Sequence, residues 1–193
     1  MKLFCMKKLC IVICVFGCIG LMSQCEKENF VQVFTQDNEA FIARWDSTNC
    51  GTQPNGDLYR WNQLPTCRSG YRVPTKDEYN QLLSCPFVWG NKNGTPGWFF
   101  YPSEAEQSKG DKGKRVFFPA NGGRTVYQNG SADTYQQGET ALYWTSTPYE
   151  SDPDKAYLML IFSTFQDVTY AYWRYPMGDG VWMFERNVRC IKE

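Results

Sequence analysis

The placement of cysteines constrains this 193-residue chain more than any other feature. Cys5, Cys10, Cys14 and Cys18 crowd the first 24 residues, whereas Cys50, Cys67, Cys85 and Cys190 are spread over the rest. The first group sits in a segment built like an export leader. Lys2, Lys7 and Lys8 make a basic start, and Leu9 to Met22 is an uncharged run of 14 residues. That length suits the apolar part of a leader and falls short of the roughly 20 residues a membrane-crossing helix needs. Export would carry the chain to an oxidising compartment, where the four later cysteines form an even set with three ways to pair.

Charge begins only after Cys25, at Glu26-Lys27-Glu28. The preceding Leu21-Met22-Ser23-Gln24, together with Cys25, resembles a bacterial lipobox. Cys25 is then the lipid-bearing first residue and 1–24 the leader, with Cys18, preceded by Gly17, as the competing site. The acids after Cys25 resemble the surface-export pattern of Bacteroidetes lipoproteins. The expected location is the outer membrane, lipid-anchored and surface-exposed. Residues 25–40 read as a tether and 41–193 as one domain.

Losing the leader's three lysines leaves 17 basic against 20 acidic side chains, a net charge of −3. That balance argues against a nucleic-acid partner, which needs a basic stripe to displace counterions. Histidine is absent. Ser-His-Asp and Cys-His catalysis, His-ligated zinc and histidine pH switches are thereby excluded. There is no Gly-rich phosphate loop and no acid-rich calcium loop.

One helix is well marked. Thr75 stands at an N-cap with Glu78 three residues on, a capping box, and Tyr79, Leu82 and Leu83 share one apolar face. The spacing predicts a helix over about 76–84. A second helix is expected over 57–64, ended by Pro65. Residues 116–118, 141–144, 156–162, 166–174 and 181–191 read as strands. Asn121-Gly122-Gly123 and Gln53-Pro54-Asn55 read as turns. The stretches 91–114 and 122–140 read as long polar loops. The expected class is α+β, with short antiparallel strands, one or two helices and long loops stabilised by disulfides.

Four segments then carry a resemblance. Cys67-Arg68-Ser69-Gly70-Tyr71-Arg72-Val73-Pro74-Thr75-Lys76-Asp77-Glu78-Tyr79 is followed by Phe117-Phe118-Pro119-Ala120-Asn121-Gly122-Gly123-Arg124. Tyr143-Trp144-Thr145-Ser146-Thr147-Pro148-Tyr149 and Asn187-Val188-Arg189-Cys190 complete the set. In this order they resemble the Fibrobacter succinogenes major paralogous domain family over about residues 41–193. Arg68 stands where the family has proline, and Asn121 where it has a second alanine.

The resemblance implies a fold similar to C-type-lectin-like and formylglycine-generating-enzyme-like domains. In those, the two ends of the domain meet and long loops display a ligand face. It also implies a fold-closing Cys67–Cys190 disulfide, which leaves Cys50 to pair with Cys85. No activity or cofactor is carried over.

Paired acids such as Asp152 with Asp154, or Glu104 with Glu106, read as solvated loop residues. The aromatic crowd near the C-terminus is different. Tyr170, Tyr172, Trp173, Tyr175 and Trp182 fall within 13 positions. Alternation points Tyr170 and Tyr172 to one face, and a short two-faced strand cannot bury all five rings. At least two of Trp173, Tyr175 and Trp182 are expected to be exposed near the Tyr149–Asp154 loop, with Arg174, Asp152 and Asp179 at the rim. The reading is a binding module for a glycan or protein ligand, without catalysis. An adhesin subunit and an enzyme on the same fold are the alternatives.

Overall fold

A computed structural model of the protein describes residues 37–162, 165–177 and 180–193. The leader, Cys18, Cys25 and Asp179 lie outside them. The described chain is α+β, mostly sheet with few helices.

Alternation organises its middle. Strand β9 (Ala141–Pro148) sends Ala141 and Tyr143 to one side and Leu142 and Trp144 to the other, and all four are buried. The first side joins Trp45, Tyr79, Leu82, Phe118 and Met159 in the larger core. The second joins Ala156, Leu158 and Val188. A strand buried on both faces must be central, and β9 is. Antiparallel β10 (Lys155–Ile161) flanks it, followed by β11 (Gln166–Tyr172). On its other side lies β13 (Gly180–Asn187), which meets β9 in parallel at Asn187 and Tyr143.

β13 also pairs with β2 (Leu58–Arg60), β7 (Gly123–Val126) and β12 (Arg174–Met177). With β8 (Ala132–Tyr135) at the far edge, these make an eight-stranded sheet ordered β11-β10-β9-β13-β7-β8, with β12 and β2 beside β13.

Two small sheets complete the fold. In one, β14 (Arg189–Lys192) lies between β1 (Trp45–Asn49) and β3 (Tyr71–Arg72), so the first and last strands described are neighbours. The other is β4 (Phe87–Lys92), β5 (Thr95–Phe100) and β6 (Val116–Pro119). The β4–β5 turn is Asn93-Gly94, with both residues left-handed at φ 54° and 86°. That geometry follows the right-handed twist of the flanking strands, and Asn-Gly supplies it with least strain.

Residues 37–43 form helix α1, and the predicted helix is α2 (Lys76–Leu83), where both arms of the capping box form. The Thr75 hydroxyl accepts the Glu78 N–H at 3.3 Å, and the Glu78 carboxylate accepts the Thr75 N–H at 2.9 Å. Arg72 donates to both Glu78 oxygens at 2.8 Å, and Arg44 adds a 3.3 Å contact. Burial pushes Glu78 up, but Arg72, the Thr75 N–H and Arg44 outweigh it and hold the carboxyl below its ordinary value. Further round the same helix, Tyr79 and Leu82 are fully buried.

Several expectations are corrected. The helix expected over 57–64 is instead strand β2 and a single 3₁₀ turn, Trp61–Gln63, because pairing with β13 extends the backbone. The loop expected over 91–114 contains β5 and a short helix, α3 (Glu104–Ser108), and that over 122–140 contains β7 and β8. Glu106 is not a solvated acid. It is 8% exposed, pairs with Lys109 and accepts the Lys114 N–H at 2.8 Å. Residues 37–43, which span the expected junction of tether and domain, are helical, and Phe41 and Ile42 are buried.

The two expected turns are present. Gly56 N–H closes the first on the Gln53 carbonyl at 2.9 Å. In the second, Gly122 has φ 62°, and a Cβ there would lie 1.9 Å from the Tyr135 carbonyl oxygen.

Candidate functional site

The register of β10 on β11 sets Lys155 opposite Tyr172 and Tyr157 opposite Tyr170. These four side chains share one face of the hairpin, as the alternation of Tyr170 and Tyr172 requires. Further along the same face, Met159 and Val168 join the larger core with Tyr79 and Leu82 of α2. Lys76, the first residue of α2, has its Nζ 4.3 Å from the Tyr157 ring centroid. The helix thus covers one end of the hairpin face and leaves the tyrosine end open.

Five tyrosines meet there. Tyr149, just beyond β9, stacks on Tyr170 at 4.0 Å and 23°, and meets Tyr157 edge-on at 5.7 Å. Tyr172 meets Tyr175 of β12 edge-on at 4.6 Å. Lys155 links the two pairs, with its Nζ 4.4 Å from the Tyr172 centroid and 5.5 Å from that of Tyr170. It also pairs with Asp152 at 3.2 Å. The Asp152 carboxylate and the Tyr172 hydroxyl hold the Lys155 ammonium charged to a higher pH than usual. The Asp154 N–H, more than Lys155, holds Asp152 below its ordinary value. Nearby, Arg174 pairs with Asp154 at 3.3 Å. The result is an open aromatic face with a central cation and a charged rim. Tyr170 is 45% exposed and Tyr175 37%.

Only part of the expected ligand set is gathered here. Tyr149, Tyr175, Arg174 and Asp152 belong to it. Trp173 and Trp182 are half-buried, which corrects the expectation of two exposed rings among the three named residues. The Trp173 indole donates to the Pro153 carbonyl at 3.0 Å and packs on the second core, so it props the Tyr149–Asp154 loop. Trp182 faces Tyr175 across β12 and β13, and its ring meets Tyr127 edge-on at 5.2 Å. Tyr170 and Tyr172 belong to the aromatic crowd but not to the expected ligand set, and Tyr157 and Lys155 belong to neither. The crowding rule counts only neighbours in sequence, whereas the register joins residues 13 or more positions apart.

Beneath the sheets lies a buried polar network. The Arg189 side chain is 1% exposed. It donates to Asn49 Oδ1 at 2.7 Å, to the Asp46 carbonyl at 2.6 Å and to the Phe117 carbonyl at 2.8 Å, and its guanidinium lies 4.6 Å from the Phe118 centroid. Burial pulls its pKa down. The Tyr143 hydroxyl donates to the Pro119 carbonyl and accepts from Asn49 Nδ2, both at 3.0 Å. Burial pushes that phenol up to about 12, with the Arg189 charge pulling the other way. Asn187 joins through Asn49 and Asn121. The network gives Arg189 and Asn187 of the closing segment a packing role.

The cysteines divide unequally. Cys67 and Cys190 form the expected disulfide. Cys50 and Cys85 do not pair, which corrects the second bridge. Cys85 is buried in the larger core, its Sγ 3.6 Å from the Gln81 carbonyl. Cys50 lies against the disulfide, with its Sγ 3.0 Å from that of Cys190, and the sulfurs of Cys50, Cys67 and Cys190 are within 4.8 Å of one another.

No family model, curated protein or solved structure matches the chain.

Proposed function

We propose that this protein is a lipid-anchored lipoprotein of the outer membrane surface whose domain recognises a glycan or a protein ligand, without catalysis. The observation that carries this reading is the tyrosine face around Lys155. Flat aromatic rings offer low-entropy area for stacking on a sugar or a protein loop, and the surrounding ion pairs fix orientation. The face is open rather than a cleft with converging reactive groups, which favours recognition over chemistry.

A C-type-lectin-like fold of the Fibrobacter succinogenes major paralogous type is part of the proposal. It is supported by the four ordered segments, by β1 pairing with β14 and by the Cys67–Cys190 bridge.

A glycan array and a surface pull-down with the 25–193 protein identify the ligand. Tyr170→Ala and Tyr175→Ala are each expected to weaken its binding by about 1–3 kcal/mol with little change in thermal midpoint. Unchanged binding, or a loss of several kcal/mol of stability, would assign these rings to packing instead.

The anchor is tested separately. Intact mass of the membrane-fraction protein is expected to show an acylated Cys25 at the N-terminus, and Cys25→Ser to release the protein from the membrane. A soluble species carrying unmodified Cys25 would refute the anchor.

One observation favours the adhesin-subunit reading. Strand β4 lies at a sheet edge and shows Val88 and Trp89, 40% and 42% exposed. An apolar edge of this kind can accept a strand from a neighbour. Self-assembly of the purified domain would select that reading over ligand recognition.

A further inference from the structure

We propose that Cys50, Cys67 and Cys190 form an intramolecular thiol–disulfide exchange site, in which Cys190 is bridged in turn by Cys67 and by Cys50. The topology places the three together. Cys190 lies on β14, the middle strand of its sheet, with β1 on one side and β3 on the other. Cys50 directly follows β1, and its N–H bonds to the Val188 carbonyl at 2.9 Å, which holds it beside β14. Cys67 lies four residues before β3. The middle-strand cysteine therefore has a partner from each flank. Cys50 Sγ is already 3.0 Å from Cys190 Sγ, so only side-chain movement separates the two bridges.

The step is balanced without an outside oxidant. The Cys50 thiol loses its proton, and the resulting thiolate attacks Cys190 Sγ. The Cys50–Cys190 bond forms as the Cys67–Cys190 bond breaks. The bonding pair leaves on Cys67 Sγ, which takes up a proton. One thiol and one disulfide are present before and after. Cys50 and Cys67 are both half-buried while Cys190 is 3% exposed, so exchange passes the free thiol between two partly exposed positions and leaves the pivot sulfur shielded.

The environment of Cys50 sets the tempo. Burial pushes its thiol up to about 11, Arg189 draws it down and Asp46 raises it. The attacking species is the thiolate, so exchange is slow at neutral pH and accelerates about tenfold per pH unit until the thiol titrates.

The test uses the wild-type exported protein. It is held at pH 7 or pH 9.5, quenched in acid and denaturant, and its free thiols are alkylated for non-reducing peptide mapping. The expected result is label split between Cys50 and Cys67, reached more than a hundredfold faster at pH 9.5. The rate should be independent of protein concentration, with Cys85 labelled fully throughout as the reference. Label confined to Cys50 and Cys85 at both pH values would overturn the proposal. In Cys67→Ser, oxidation is expected to yield the Cys50–Cys190 bridge. If Cys50 and Cys190 both remain fully alkylatable in the folded variant, the proposal fails. If the variant does not fold, the wild-type map still decides.

Discussion

Arg189→Met is expected to lower the free energy of unfolding by about 3–5 kcal/mol, even though it removes a buried charge. Two effects oppose each other. Burying a guanidinium without a facing carboxylate is costly, and a neutral side chain of similar length recovers that cost. The same change leaves Asn49 Oδ1 and the carbonyls of Asp46 and Phe117 without their donor, and each buried acceptor left unpaired costs about 1–3 kcal/mol. Three acceptors outweigh one relieved charge. The fork is also what holds β1, β6 and β14 together, since its acceptors come from the first two and Arg189 from the third. Arg189→Lys is expected to lose nearly as much, because an ammonium cannot reach three diverging oxygens with the planar geometry of guanidinium. Urea denaturation with unchanged slope measures both variants. A Met variant as stable as wild type would show that the three bonds contribute nothing net.

Cys190→Ser is expected to be at least as damaging, at about 4–5 kcal/mol. The bridge it removes spans 123 residues, and a closed loop of that length restricts the unfolded chain by about that amount. No other cysteine can compensate, because Cys190 is the sulfur that both flanking strands can reach. Reducing the wild-type bridge is expected to reproduce the loss to within about 1 kcal/mol, the residue being the buried hydroxyl that serine introduces. If reduction leaves the denaturation midpoint in place, the bridge is not what closes the fold, and pairing of β1 with β14 suffices.

Local chemistry was the legible part of this fold. The capping box at Thr75 and Glu78 needs only neighbours in sequence, so α2 ends within a residue of where the pattern places it. The apolar runs around 141–144 and 156–162 are equally direct, because strands buried on both faces lack polar interruptions. β5 was hidden by its small and polar start, Thr95-Pro96-Gly97, although Asn93-Gly94 ahead of Trp98-Phe99-Phe100 is a hairpin pattern in its own right. β2 was obscured for another reason: its strand geometry comes from β13, more than 120 residues away. The same limit applies to the sites. An even number of cysteines cannot reveal that Cys50 faces Cys190, since β14 must first lie beside β1. Aromatic crowding singled out the segment that supplies Tyr170, Tyr172 and Tyr175, but hairpin register decides which rings meet.

The position of β13 and β14 has a consequence for when the protein can become itself. These strands follow every other described strand in chain order, yet β13 is the partner of β2, β7, β9 and β12, and β14 the partner of β1 and β3. Until they arrive, neither sheet has its middle, and the earlier hairpins have little to dock on. Pairings between strands so far apart in sequence place the folding among the slow class.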